Sequence, residues 1–286
     1  MTVYNKISGI AHEIIYSFMK LHEIKSSNYS YHQFFEKKII DLDIIVMEHN
    51  LNNDISGLSI KDKNGHQTIS YQANHHINRQ NFTKCHELAH FLLNHEGTIF
   101  MNNEENNVQE YEANAFAGII LAPDIILLGK IVYQKKTFQQ ILKDLSISRE
   151  TLNIRLEQLL CHCKKRFNRN DILKTIDDFN KNKNKNLMMY LKAIESEITD
   201  KFLSTKINTV EQINYILDQK HFTTNIDIPE IENEKIVNTI KKDYPYLKNG
   251  LYYDKSTTIY YIYDERFFSD KEAKSKARTI WFIEAI

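Results

Sequence analysis

The chain has 286 residues, 42% of them hydrophobic, enough for one large domain or two to three smaller ones around at least one sizeable core. Its 37 basic and 37 acidic side chains cancel, which excludes a global field that would draw it to nucleic acid or to an anionic membrane surface. Cys85, Cys161 and Cys163 make no disulfide framework, the start lacks a basic-then-apolar leader, and no apolar run approaches the roughly 20 residues that span a bilayer. A soluble protein of the reducing cytoplasm is expected.

Apolar residues at Ile7, Ile10, Ile14, Phe18 and Leu21 recur at helical spacing, so the first element is an amphipathic helix. A second helical stretch around Phe34 to Ile40 leads into three short strands: Asp43 to Met47, Gly57 to Ile60 and Thr68 to Tyr71, with Lys63-Asn64-Gly65 as a turn. From about Asn78 through His95 the period is again helical. The polar stretch Asn102 to Asn107 reads as a loop, and Glu110 to Leu121 as a strongly periodic helix that stops before Pro123.

Between Phe138 and Leu159 two shorter helices flank Ser146-Ile147-Ser148, with Ser148 as cap and Glu150 in the first turn, an arrangement like a helix-turn-helix. Asn180 to Asn186 reads NKNKNKN and marks a solvated boundary. Beyond it lie a helix around Val210 to Leu217, a tyrosine-rich β run from Leu251 to Tyr263, and a last helical segment ending at Ile286.

The chemistry concentrates in His86-Glu87-Leu88-Ala89-His90. On a helix the four-residue step puts both imidazoles on one face, where they can share one tetrahedral zinc. Glu87 then lies beside the metal without binding it, placed as general base for a zinc-activated water. A catalytic zinc needs a third protein ligand and an open position. Glu110, 20 positions after His90, meets the need, with Asn114 one turn on as supporting residue. Glu112 is the rival ligand. It lies about 200° around the helix from Glu110, so only one of the two faces the metal, and the register of Ala113, Phe116 and Ala117 favours Glu110.

These residues resemble the ImmA/IrrE metallo-endopeptidases. That family carries a Phe-Thr pair before H-E-x-x-H, here Phe82-Thr83, followed by E-x-x-A-N-x-F-A-x-x-L-x-x-P. The second part reads Glu110-Tyr111-Glu112-Ala113-Asn114-Ala115-Phe116-Ala117 and ends on Pro123, with Ile120 at the usual leucine position and the leucine displaced to Leu121. The likeness runs from about Gly57 to Leu159 and includes the segment Ile147 to Leu156.

The resemblance implies an α+β fold. A small zincin-like domain with a short antiparallel or mixed sheet would occupy residues 1–128, and a helix-turn-helix-like helical segment residues 129–167. A polar linker over 168–186 and a mixed α/β C-terminal domain over 187–286 would follow, the latter a sensor or a degenerate repeat. The implied function is a zinc endopeptidase of bacterial mobile elements that cuts or inactivates a helix-turn-helix repressor and so controls gene expression.

Alternatives stand beside this reading. Residues 130–166 hold nine Lys or Arg and three acids, so in a second reading Arg149 and Arg155 would meet DNA in a regulator whose zincin domain is scaffold. A peptidase toxin silenced by a partner is the other. Cys161-His162-Cys163 lacks a second cysteine pair and is not read as a metal clip. Cys85 is expected to pack, and His75, His76 and His95 are assigned no role. Gly250 to Ile286 faintly echoes the order of Gly57 to Leu93, with Arg278 and Phe282 in place of the two histidines.

Overall fold

A computed structural model describes residues 2–50, 55–95, 99–100, 107–255 and 257–284. The fold is mixed α+β, and the chain divides into two compact units, Met1–Lys206 and Ile207–Ile286. No single helix is long and apolar enough to cross a membrane.

The first unit opens with α1 (Val3–Leu21), capped by the Thr2 hydroxyl accepting from the Asn5 amide, and α2 (Tyr31–Asp41), capped by Ser30. Three strands follow: β1 (Ile44–His49), β2 (Gly57–Lys61) and β3 (Gln67–Gln72). The β2–β3 turn uses Gly65 at φ 90°, a left-handed conformation that only glycine adopts without strain, and Asp62 Oδ1 accepts from the amides of Asn64 and His66. With β4 (Ile99–Phe100) the sheet order is β1-β3-β2-β4; β1 runs parallel to β3 and the other pairings are antiparallel.

Helix α3 (Ile77–Leu92) lies on β2 and β3 and packs against α4 (Asn107–Leu121). Helix α4 is buried nearly all round from Ala115 to Leu121, as its unbroken run of apolar residues requires, and α1 covers its other side. The stretch Asn102 to Asn107 lies outside the described residues, except that α4 begins at Asn107.

Helix α5 (Asp124–Leu128) continues into a π-helical turn at Gly129–Tyr133, followed by α6 (Phe138–Leu145) and α7 (Arg149–Cys161). Ser146 takes the left-handed conformation that ends α6, and Ser148 caps α7 by accepting from the Thr151 amide. Arg155 does not face outward from α7. It is 1% exposed, with Nη2 donating to Asp124 Oδ1 at 2.6 Å and Nη1 to the Tyr4 hydroxyl at 3.1 Å.

The expected linker over 168–186 is mostly helix. α8 (Arg169–Asn180) buries Ile172, Ile176 and Phe179, α9 (Lys185–Ala193) buries Leu187 and Leu191, and Asn182 at φ 63° turns the chain between them. The lysines of NKNKNKN cover that turn, while the apolar positions either side hold it to the core. α10 (Glu195–Ser204) ends the first unit, so the division falls near residue 206 and not in the asparagine-lysine run.

The second unit comprises α11 (Thr209–Lys220), β5 (Phe222–Thr224), α12 (Glu234–Asp243), β6 (Leu247–Asp254), β7 (Thr257–Asp264) and α13 (Asp270–Glu284). Its sheet has the order β5-β7-β6, and α13 buries Ala273, Ala277 and Trp281. The hairpin-then-helix order of β2, β3 and α3 therefore recurs, but β5 runs antiparallel to β7 where β1 runs parallel to β3. Arg278 and Phe282 are exposed on α13, unlike His90 on α3.

Candidate metal centre

His86 and His90 stand one turn apart on the face of α3 that meets α4, and Glu110 enters from the first turn of α4. His86 Nε2 lies 3.2 Å from His90 Nε2 and 3.2 Å from Glu110 Oε2, and His90 Nε2 lies 3.5 Å from Glu110 Oε1. One ligating atom from each of the three residues falls within 4.8 Å of the others, the one such group of three among the described residues.

The partners on the far side of each ring decide what these atoms present. Asn114 Oδ1 is 3.0 Å from His86 Nδ1, and a carboxamide oxygen only accepts, so the His86 proton sits on Nδ1 and its Nε2 offers a lone pair. His95 Nε2 is 3.1 Å from Glu112 Oε2, which likewise fixes the His95 proton on Nε2. His95 Nδ1 must then accept from His90 Nδ1, 2.9 Å away, leaving His90 Nε2 bare as well.

Two imidazole lone pairs and a carboxylate thus converge, and Glu110 Oε2 is buried there without a hydrogen bond. Such a cluster requires a cation or a proton among its atoms. The donor set, two imidazoles and one carboxylate, is one that a borderline divalent ion favours. Burial and then the neighbouring His86 push His90 down to about 3, so it stays neutral and available. Burial acts against a charge on His86 too, but the Glu110 and Glu87 carboxylates outweigh it and raise that group.

Glu87 points off the same helix onto β2. It is 4% exposed, and its Oε2 accepts from the Ser59 hydroxyl at 2.7 Å. Burial pushes its carboxyl up to about 7, against the lowering pull of His86 and Ser59, so it can take up and release a proton near neutrality. Gly57 makes room beside it: a Cβ there would lie 2.2 Å from Thr83 Cγ2 and 2.7 Å from Glu87 Oε1. Arg79, Phe82 and Asn114 complete a cleft of about 210 Å³ with Gly57, His86 and Glu110.

The structure brings together the five residues that the sequence assigned to the metal site: His86, Glu87, His90, Glu110 and Asn114. Glu112 turns away to His95. Three contributors carried no sequence assignment: Ser59, which meets Glu87 only through the β2–α3 contact, Gly57, and His95. His95 had a legible signal. Asn94 takes φ 52° just past the end of α3, and the His95 amide donates back to the His90 carbonyl at 3.0 Å, the turn that asparagine favours at a helix C-terminus. Cys161 and Cys163 join no group of three metal-ligating side chains among the described residues, and Cys85 is buried.

Residues 40–157, which carry strands β1 to β4 and both site helices, match the family described as IrrE N-terminal-like domain. That stretch of the chain is thus similar to the IrrE N-terminal-like domain family, to which the motifs of α3 and α4 also point. The IrrE N-terminal-like domain is of metallopeptidase type, and its limits enclose His86, Glu87, His90, Glu110 and Asn114. They also take in α6 and most of α7, so the helical pair behind the site is part of the family domain. No curated protein matches the chain.

Proposed function

We propose that the chain is a zinc-dependent endopeptidase of the cytoplasm that cuts a regulatory protein, a helix-turn-helix repressor in the reading that the family resemblance suggests. The observation that carries the peptidase reading is the convergence of His86, His90 and Glu110 beside a buried Glu87 that titrates near neutrality. His86, His90 and Glu110 would hold the zinc. Bound there, zinc would supply Lewis acidity toward the scissile carbonyl and toward water.

The chain's own residues supply the proton handling and the positioning. Ser59 holds Glu87 Oε2, which leaves Oε1, beside Gly57, as the oxygen that takes a proton from the attacking water and returns it to the leaving amine. Asn114 orients His86, and the Glu112–His95 pair orients His90. The buried contacts of Arg155 support a structural role for α7 over a DNA-reading one.

Glu87→Gln tests the reading, because it keeps the shape of the site and removes the base. Purified variant should retain zinc and lose cleavage of the repressor by a factor of at least 10²–10⁴, the span of general acid–base catalysis. Unchanged cleavage by a folded, zinc-loaded variant would overturn the assignment.

A further inference from the structure

The cleft at His86 opens into a larger groove of about 630 Å³, and the two share Arg79, Phe82 and Asn114 as walls. Phe82 sits one turn before His86, with ring centroids 6.3 Å apart. Tyr111 and Ala115 follow Glu110 and Asn114 directly on α4, so the side chains that build the cleft and those that build the groove alternate along one helix. The far wall is α7, where Ile154 is 46% exposed; Tyr111 is 45% exposed. Two large apolar side chains are thus left to solvent beside the reacting groups, at positions that neither core packing nor the ligand cluster explains.

The floor decides what the groove accepts. Gly118 lets Arg155 pass, since a Cβ there would lie 2.8 Å from Arg155 Cδ, and the guanidinium is taken up by Asp124, Tyr4 and the Ala122 carbonyl. Arg79 at the mouth donates to Ser56 Oγ at 2.8 Å. The floor thus has its cation, Arg155, committed to Asp124, whereas Arg79 at the mouth keeps a charge that a serine hydroxyl does not neutralise; Glu150 on the rim disfavours an acidic side chain in the groove. We propose that this groove is the subsite for a large apolar side chain of the substrate, adjacent to the bond to be cut, with Phe82, Tyr111 and Ile154 as its specificity-determining residues. The volume suits one or two residues of a peptide. The proposal rests on the peptidase reading and names the substrate feature that this site selects.

The test separates the two. Full-length, metal-free protein is titrated with two capped pentapeptides, acetyl-Gly-Gly-Leu-Gly-Gly-amide and its all-glycine counterpart, and amide shifts are followed by NMR. The leucine peptide should bind at least tenfold more tightly, as burial of one leucine side chain allows, with shifts at Tyr111, Ala115 and Ile154. Ile154→Trp, at a half-exposed position, should fill the groove and abolish the preference. Equal binding of the two peptides, binding of neither, or a preference that survives Ile154→Trp overturns the subsite. Zinc-loaded protein is then given a mixed peptide library. Cleavage with no apolar preference at either side of the cut sinks the subsite and leaves the peptidase standing. Leucine-selective binding without any cleavage sinks the peptidase reading and leaves an apolar peptide site.

Discussion

His95 stands with its Nδ1 2.9 Å from the Nδ1 of His90, and Glu112 holds the other side of its ring at 3.1 Å. The chain Glu112–His95–His90 fixes which nitrogen of His90 faces Glu110. Ligand-orienting partners of this kind are worth 10–100-fold in metal affinity. His95→Phe and Glu112→Gln are each expected to weaken zinc binding by about that factor, measured by competition with a chromophoric chelator, with the fold intact. Affinities equal to the unaltered protein's would show that His95 only fills space.

How much of this was legible in the sequence follows from where each partner sits. His86, Glu87, His90 and Asn114 declare themselves because a helix converts fixed spacing into a shared face, and Glu110 because its helix has one buried register. Ser59 was not legible: its side chain reaches Glu87 only because β2 pairs with β3 beneath α3, and nothing local in Gly-Leu-Ser-Ile announces that contact. The three strands were readable, but the parallel pairing of β1 with β3 was not, since period-two alternation carries no strand direction. The boundary near residue 206 lacks glycine or proline, whereas the conspicuous NKNKNKN run proved to be a tight turn between two packed helices.

Ser59→Ala should alter the pH profile rather than the maximal rate. The Ser59 hydroxyl donates to Glu87 and favours its carboxylate, holding down a group that burial raises to about 7. Without that bond the pKa rises, so the acidic limb of the kcat/KM profile moves to higher pH and the two enzymes converge in alkaline solution. An unmoved limb would mean that Glu87 is not the titrating base.

Gly57→Ala tests the close approach of β2 to α3. A methyl group 2.2 Å from Thr83 Cγ2 and 2.7 Å from Glu87 Oε1 forces the strand or the helix to shift. Overpacking of this kind costs about 1–3 kcal/mol, read from urea unfolding, and the displaced carboxylate should lower kcat more than it raises KM. Stability within error of the parent would show that the strand yields freely at this point.

Away from the site, the buried group of His12, Asp124 and Arg155 should set the acid limit of the fold. His12 Nε2 lies 2.9 Å from Asp124 Oδ2, and Lys201 Nζ lies 2.9 Å from His12 Nδ1. Burial opposes the Asp124 charge, but His12, Arg155 and Lys201 outweigh it and hold the carboxyl well below the usual range. Burial lowers His12 as well, against the pull of Asp124. Both folded-state values lie below their unfolded ones, so at each group the unfolded chain binds more protons in the window between them, and stability falls as pH falls. The His12 contribution is complete above about pH 6.5 and declines below it; that of Asp124 is complete above about pH 3.9 and declines below that. His12→Gln should flatten the first stage of the loss, read as the difference between the unfolding free energies of variant and parent from pH 7 to pH 5. Arg155→Met keeps the volume but strands the Asp124 charge, and is expected to cost about 3–5 kcal/mol at neutral pH, with the deficit shrinking once Asp124 is protonated. A deficit that does not depend on pH would assign the loss to packing of the arginine stem and not to the charge.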